Sequence, residues 1–266
     1  MDAAYDFMQF MMTESCEECG EPMMDLKEVV SKIPGLKVQF SDTLHASGFP
    51  RILKLRKGLI NSFLYAAQLM NERGWILKVE DGFRTVEMQK KAAISQKVFD
   101  AVLRSVQWEM ESPQVSADLV RRRLAALVAM APKVGTHTSG SAIDISVFDA
   151  KTGEEIDRGA PYLEMSHLTP MNSPFVSSEA RDNRLLITCL MNKAGFFEYP
   201  YEFWHYNAGD CYAAYLSYYK TPAIYSPIHL LPDGSIQPIA NPTEYLNPLE
   251  EIDRVLQTTL EKSGVG

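Results

Sequence analysis

The sequence predicts a fold of mixed helix and strand, and three observations carry that prediction. Residues 58–70 and 178–195 repeat their apolar positions with the helical period, the first placing Leu59, Phe63, Ala66, Ala67 and Met70 on one side. Residues 75–79, Trp-Ile-Leu-Lys-Val, form a short, mostly apolar run bounded by Gly74 and by Glu80-Asp81, as a buried strand does. Residues 142–148 alternate, with Ile143, Ile145 and Val147 on one face and Ala142, Asp144, Ser146 and Phe148 on the other.

The remaining elements follow in order. Residues 1–35 are Met-rich and acidic without a strand pattern and read as an N-terminal extension with one or two helices, ending before Ile33-Pro34-Gly35. Residues 36–40 alternate and suit a short strand, and Ser47-Gly48-Phe49-Pro50 is a turn. Gly74 stops the first long helix. After the strand at 75–79 the chain turns a corner through Asp81-Gly82-Phe83-Arg84, and Thr85 is placed to cap a helix whose first apolar residue is Met88. Residues 86–131 read as two helices divided near Ser112-Pro113, with Arg121, Arg122 and Arg123 on a solvated face. Pro132 ends the second helix and leads to the loop 135–141, with a tight turn at Ser139-Gly140 before the strand at 142–148. A turn at 151–154 and an irregular loop over 157–167 come next; loops of that length often wall a substrate site. Beyond the helix at 178–195, residues 196–206 return towards the loop at 137, and a Pro-rich tail from Leu231 closes with a helix over 249–261. The chain divides accordingly into an extension at 1–35, a central unit at 36–230 and a C-terminal extension at 231–266.

Composition bounds the function. The 266-residue chain has a formal net charge of −8, which argues against nucleic acid or anionic lipid as principal partner, since both require a basic surface. It leaves room for a small anionic substrate held by one local Arg. No run has the length of a membrane span, and the acidic N-terminus lacks the positive-then-apolar order of a signal peptide, so a soluble, cytoplasmic chain is expected. Oligomeric state is not legible. Of the four cysteines, Cys16 and Cys19 form a lone C-x-x-C pair with no second pair nearby, whereas a structural zinc requires four ligands. Cys189 lies in an apolar helical pattern and is expected in the core.

The chemistry concentrates in two stretches. His137 and Asp144 bracket the turn that opens the strand at 142–148, so the carboxylate can fold back towards the imidazole, and both donors suit zinc. Glu202-Phe203-Trp204-His205 supplies a second His, completing three candidate ligands, His137, Asp144 and His205, for one zinc ion per chain. It also supplies Glu202, a carboxylate suited to take a proton from a water on the metal. Residues three apart in a regular strand point to opposite faces, so the 202–205 segment must turn or bulge for both to serve one site. Arg84, at a strand-to-helix corner, has two readings: a functional side chain, or the partner of a surface acid. His45, His167 and His229 are expected in loops or at the surface rather than as ligands.

Together, Asp81-Gly82-Phe83-Arg84, the segment 139–144 (Ser-Gly-Ser-Ala-Ile-Asp), Asn183-Arg184 to Ala194-Gly195-Phe196, and 202–206 (Glu-Phe-Trp-His-Tyr) resemble the VanX-type D-alanyl-D-alanine dipeptidases of the zinc D,D-peptidase family. The likeness runs from about residue 36 to about residue 210. It implies an α+β fold: a small, mainly antiparallel sheet flanked by helices, with zinc in a cleft on the sheet. It implies His137, Asp144 and His205 as the ligands, Glu202 as general base and acid, and Arg84 as the residue that steadies the oxyanion. The implied substrate is a small cell-wall peptide ending in D-alanine. Three positions depart from that pattern: Gly135 where the dipeptidases have Ser, Phe203 where they have the first of two Trp, and Leu163 where they have an Asp for the substrate ammonium. The expected activity is thus zinc-dependent hydrolysis of D-Ala-D-Ala or related dipeptides. The alternatives are a D,D- or L,D-carboxypeptidase on longer peptides, and a zinc-bearing binding or sensor protein without catalysis. Intact Glu202 and Arg84 argue against the last, because binding alone needs neither.

Overall fold

The computed structural model describes residues 2–217 and 221–262. An N-terminal helix α1 (Asp2–Thr13) precedes strand β1 (Met23–Asp25) and the short helix α2 (Leu26–Ser31), capped by the Asp25 carboxylate. Strands β2 (Val38–Phe40) and β3 (Lys54–Arg56) lead to helix α3 (Ile60–Glu72), and Gly74, at φ 81°, turns the chain into strand β4 (Trp75–Asp81). Helix α4 (Val86–Ala93) begins at Thr85, whose hydroxyl accepts from the Met88 N–H as its position predicts.

The region read as two helices holds three, because the chain breaks again at Ile94-Ser95. Helices α5 (Gln96–Met110) and α6 (Ala117–Val128) follow α4. A single 3-10 turn (Thr136–Ser139), closed by Gly140 at φ 68°, delivers the chain to strand β5 (Ala142–Asp149). Helix α7 (Ser178–Lys193), strands β6 (Phe197–Glu198) and β7 (His205–Asn207), helix α8 (Cys211–Leu216), the hairpin β8 (Ile228–Leu230) and β9 (Ile236–Pro238), and helix α9 (Leu249–Lys262) complete the order.

The central sheet runs β2-β4-β5-β7-β6, parallel only between β2 and β4. This is the α+β architecture expected, with a small, mainly antiparallel sheet between helices. One face of the sheet, with Leu77, Val79, Ile143, Ile145, Val147 and Tyr206, packs on Phe63 and Met70 of α3 and Ile187 and Met191 of α7. Burying each such apolar side chain contributes about 1.5–3 kcal/mol. A second group of helices has α5 and α6 packed on each other and α1 and α9 packed against α6, and its core takes in Tyr199, Phe203 and Trp204 from the segment between β6 and β7. Met8 and Met11 of α1 and Ile252 and Leu256 of α9 share one core with Trp204 and Tyr212.

Among the described residues no helix is long and apolar enough to cross a membrane. Cys189, expected in the core, is exposed, because the core face of α7 is taken by Ala180, Arg184, Ile187 and Met191 instead.

Candidate metal centre

The register of three strands builds the site. Opposed residues of an antiparallel pair share a face. Asp144 of β5 faces His205 of β7 on one side and Asp81 of β4 on the other. Asp81 reaches this row through an irregularity. Val79 pairs with Ile145 on the core face, and regular alternation would return Asp81 to that face; a bulge between Val79 and Asp81 turns it to the side of Asp144. The 3-10 turn brings His137 over the end of β5. The turn demanded by the Glu202–His205 spacing is present, with the His205 N–H donating to the Glu202 carbonyl at 3.2 Å.

His137, Asp144 and His205 each offer one ligand atom, and these atoms lie within 4.8 Å of one another. All three residues are buried. Asp144 Oδ1 is 3.2 Å from His137 Nε2 and 3.0 Å from His205 Nδ1. The outer nitrogens fix the tautomers. His137 Nδ1 donates to the Gly82 carbonyl at 2.6 Å, and His205 Nε2 donates to Asn207 Oδ1 at 2.8 Å. The inner nitrogens both face Asp144 Oδ1, and on losing a proton they would turn their lone pairs to a cation held beside that oxygen. Two imidazoles oriented from behind, with one carboxylate, are a donor set that fits a divalent cation such as zinc.

Electrostatics follow from burial and pairing. Burial alone would raise the Asp144 carboxyl, but His137 and His205 outweigh it and hold it well below the usual carboxylate range. Burial and the Arg84 charge keep His137 neutral. His205 is raised: burial opposes its charge, and Asp144 prevails. Glu202, 3.9 Å from His205 Nδ1, is pushed up to about 8 by burial, with Asp144 adding to the effect and His205 and Arg84 opposing it.

Arg84 does pair with acids, but with buried ones and not with a surface acid. The side chain is buried and joins two buried carboxylates, Asp81 Oδ2 at 2.7 Å and Asp144 Oδ2 at 3.0 Å. Burial disfavours its charge, yet the two carboxylates hold it firmly protonated. Its Nη1 lies 3.4 Å from Gln89 Oε1, and the residue lines a cavity together with Glu202, His137 and His205.

The structure adds partners to the expected set. Tyr162 donates to Asp144 Oδ2 at 2.9 Å, and Thr136 donates to Asn207 Oδ1 at 2.6 Å. His45 lies in a loop as expected but is not at the surface: it is 5% exposed, with Nε2 3.4 Å from Asp81 Oδ2. Burial and the Arg84 charge depress it to about 3, against the pull of Asp81. Asn207 was findable, since alternation puts it on the same face as His205. Nothing in the sequence marks Tyr162.

A sequence profile described as D-ala-D-ala dipeptidase (Peptidase_M15) matches residues 51–222, well over half of the chain. A D-alanyl-D-alanine dipeptidase of Enterococcus faecium is 28% identical over 152 residues, covering 57% of this chain and 71% of that one. One of Synechocystis sp. is 24% identical over 213 residues, 73% of this chain and 84% of the relative. One of Escherichia coli is 36% identical over 70 residues, 26% and 36% of the two chains.

Proposed function

Because this chain belongs to the D-ala-D-ala dipeptidase family of metallopeptidases, we propose that it is a zinc-dependent dipeptidase cleaving D-alanyl-D-alanine or a related cell-wall dipeptide. The observation that carries the reading is the convergence of His137 Nε2, Asp144 Oδ1 and His205 Nδ1, with both tautomers fixed from behind. In this reading those three residues hold one zinc ion per chain, and residues 36–230 form the catalytic unit, flanked by 1–35 and 231–266.

When bound there, zinc supplies a Lewis acid and a positive charge that lower the proton affinity of a neighbouring water and of Glu202. Glu202 accepts the proton from the water that attacks the peptide carbonyl and returns it to the leaving amine. Its enclosed position supports that role, since a carboxyl pushed up to about 8 is a strong proton acceptor once ionised. Arg84 stabilises the charge developing on the carbonyl oxygen. Its Nε and Nη2 are engaged by Asp81 and Asp144, so the fork is held rigidly in a residue that borders the cavity. Tyr162 and Asn207 hold Asp144 and His205 in orientation.

The test is metal analysis of the purified protein, followed by hydrolysis of D- and L-terminated di- to pentapeptides. Stoichiometric zinc and cleavage of D-Ala-D-Ala are expected. A zinc-replete protein that cleaves no D-Ala-terminated peptide overturns the reading.

A further inference from the structure

The cavity around the candidate site is narrow, but it does not end there. A second small cavity, bordered by Arg84, Glu202 and Trp204, is also lined by Val98, Leu163 and Met165. The same three residues line an open groove of about 510 Å³ between α5 and the loop after Pro161. The groove continues past Ser105, Trp108, Ser166 and His167 into a further hollow of about 240 Å³. A row of adjoining hollows thus runs from beside the candidate base, across the shared side chains of Val98, Leu163 and Met165, to the exposed end of α5.

Its lining changes along its length. At the junction, Leu163, Val98 and Met165 are apolar and offer no partner to a free ammonium. Beyond them, Lys97 and Arg104 project from one face of α5. Neither has an ion-pair partner among the described residues, although the chain carries a net charge of −8. Glu164 is the single carboxylate facing them in this groove. At the far end Trp108, 55% exposed, stacks on His167 at 4.8 Å and meets Phe175 edge-on at 5.9 Å. From Val98 to Trp108, a helix rising about 1.5 Å per residue covers about 15 Å, the length of four or five extended residues.

We propose that this groove binds the amino-side extension of a longer peptide substrate, with an acidic side chain of that extension at Lys97 and Arg104 and an apolar one on Trp108. The inference rests on the reading of the site given above: a substrate cleaved at a terminal D-alanyl-D-alanine can be longer only on its amino side. Charge complementarity selects the acidic residue, and the apolar junction favours an amide at the dipeptide's amino nitrogen over a free ammonium, which would be poorly solvated there.

The test compares D-Ala-D-Ala with acetyl-Glu-Ala-D-Ala-D-Ala and its Gln counterpart. It uses the zinc-loaded wild-type chain and the Lys97→Gln/Arg104→Gln double variant, neither residue being part of the catalytic machinery. Wild type should prefer the Glu peptide over the Gln peptide by about three- to tenfold in kcat/KM, the size expected of two solvent-screened charges. The preference should shrink towards unity in high salt and in the double variant, with the rate on D-Ala-D-Ala unchanged. A second readout needs no turnover. Trp108 is much more exposed than Trp75 or Trp204, so acetyl-Leu-Ala-Glu-Ala-D-Ala, whose Leu reaches the far end of the groove, should shift its fluorescence, and Trp108→Phe should remove the change. Hydrolysis with no Glu preference and no Trp108 response overturns the groove alone. A Trp108 response that is Glu-selective, without any hydrolysis, supports the groove and overturns the peptidase reading. Absence of both overturns both.

Discussion

His137 Nδ1 lies 2.6 Å from the backbone carbonyl oxygen of Gly82. The imidazole of a proposed metal ligand is thereby oriented by the corner that also carries Arg84. Gly82 has no room for a side chain: a Cβ there would lie 3.0 Å from the Ile52 carbonyl oxygen and 3.1 Å from Lys54 backbone atoms. Gly82→Ala must therefore displace that carbonyl. We expect a stability loss of about 1–3 kcal/mol and weaker zinc retention against a competing chelator. Wild-type retention would show that the carbonyl does not orient His137.

Asn207→Ala removes the acceptor behind His205 and leaves the ligand atoms untouched. Zinc affinity should fall about 10–100-fold, measured by chelator competition, with the circular dichroism spectrum unchanged. An unaltered affinity would mean that Thr136, whose hydroxyl lies 3.1 Å from His205 Nε2, holds the ring alone.

Glu202→Gln should lower kcat by about 10²–10⁴-fold while zinc content stays stoichiometric. Burial pushes the Glu202 carboxyl up to about 8, so in the metal-free protein at neutral pH it is largely uncharged and a neutral isostere suits its surroundings. The unfolding midpoint of the metal-free variant should therefore match or exceed wild type. Near-normal turnover would show that another group takes the proton.

Arg84→Ala should do more than slow the reaction. It leaves Asp81 and Asp144, both buried, without their shared cation. The expected cost is about 3–5 kcal/mol in metal-free unfolding, with kcat reduced more than KM is raised in whatever folds. Adding Asp81→Asn should recover part of the stability and none of the rate. Additive losses in the double variant would contradict a shared ion pair.

His45 sets a pH dependence. Its folded pKa of about 3 lies below the ordinary 6.5 because of burial and the Arg84 charge. Below 6.5 the unfolded chain takes up a proton that the folded chain refuses. The contribution of His45 is therefore complete above pH 6.5 and is lost as pH falls towards 3, with a ceiling of roughly 5 kcal/mol. Urea unfolding at pH 7 and pH 5 should show a smaller acid loss in His45→Gln than in wild type. Equal losses would place the acid sensitivity elsewhere.

The sequence shows the donors better than it shows how they are oriented. The alternation at 142–148 assigns Asp144 to the face opposite Ile143 and Ile145, and β5 keeps that assignment. The turn before His205 follows from the incompatibility of a three-residue spacing with a straight strand. Arg184 shows where such reasoning stops. A charged residue on a helix reads as solvent-facing, yet its guanidinium is buried, donates to the carbonyls of Arg158, Leu168 and Pro170, and lies 4.2 Å over Phe203. Those carbonyls come from an irregular loop, and no local pattern states where such a loop will run. The same holds for Tyr162, which reaches Asp144 from that loop.

The bulge between Val79 and Asp81 makes the site depend on a count as well as on chemistry. Two residues of β4 span the distance that one residue of β5 spans, and the extra one, Glu80, is taken up in the bulge so that Asp81 still opposes Asp144. Removing Glu80 would restore even pairing with Asp81 still opposite Asp144, but it would take out the bend that the bulge gives β4 and draw the Gly82 corner, with the carbonyl behind His137, along the strand. Exchanging Glu80 for another residue keeps the phase. Along this strand, length is held more tightly than composition, much as a reading frame tolerates a changed letter but not a missing one.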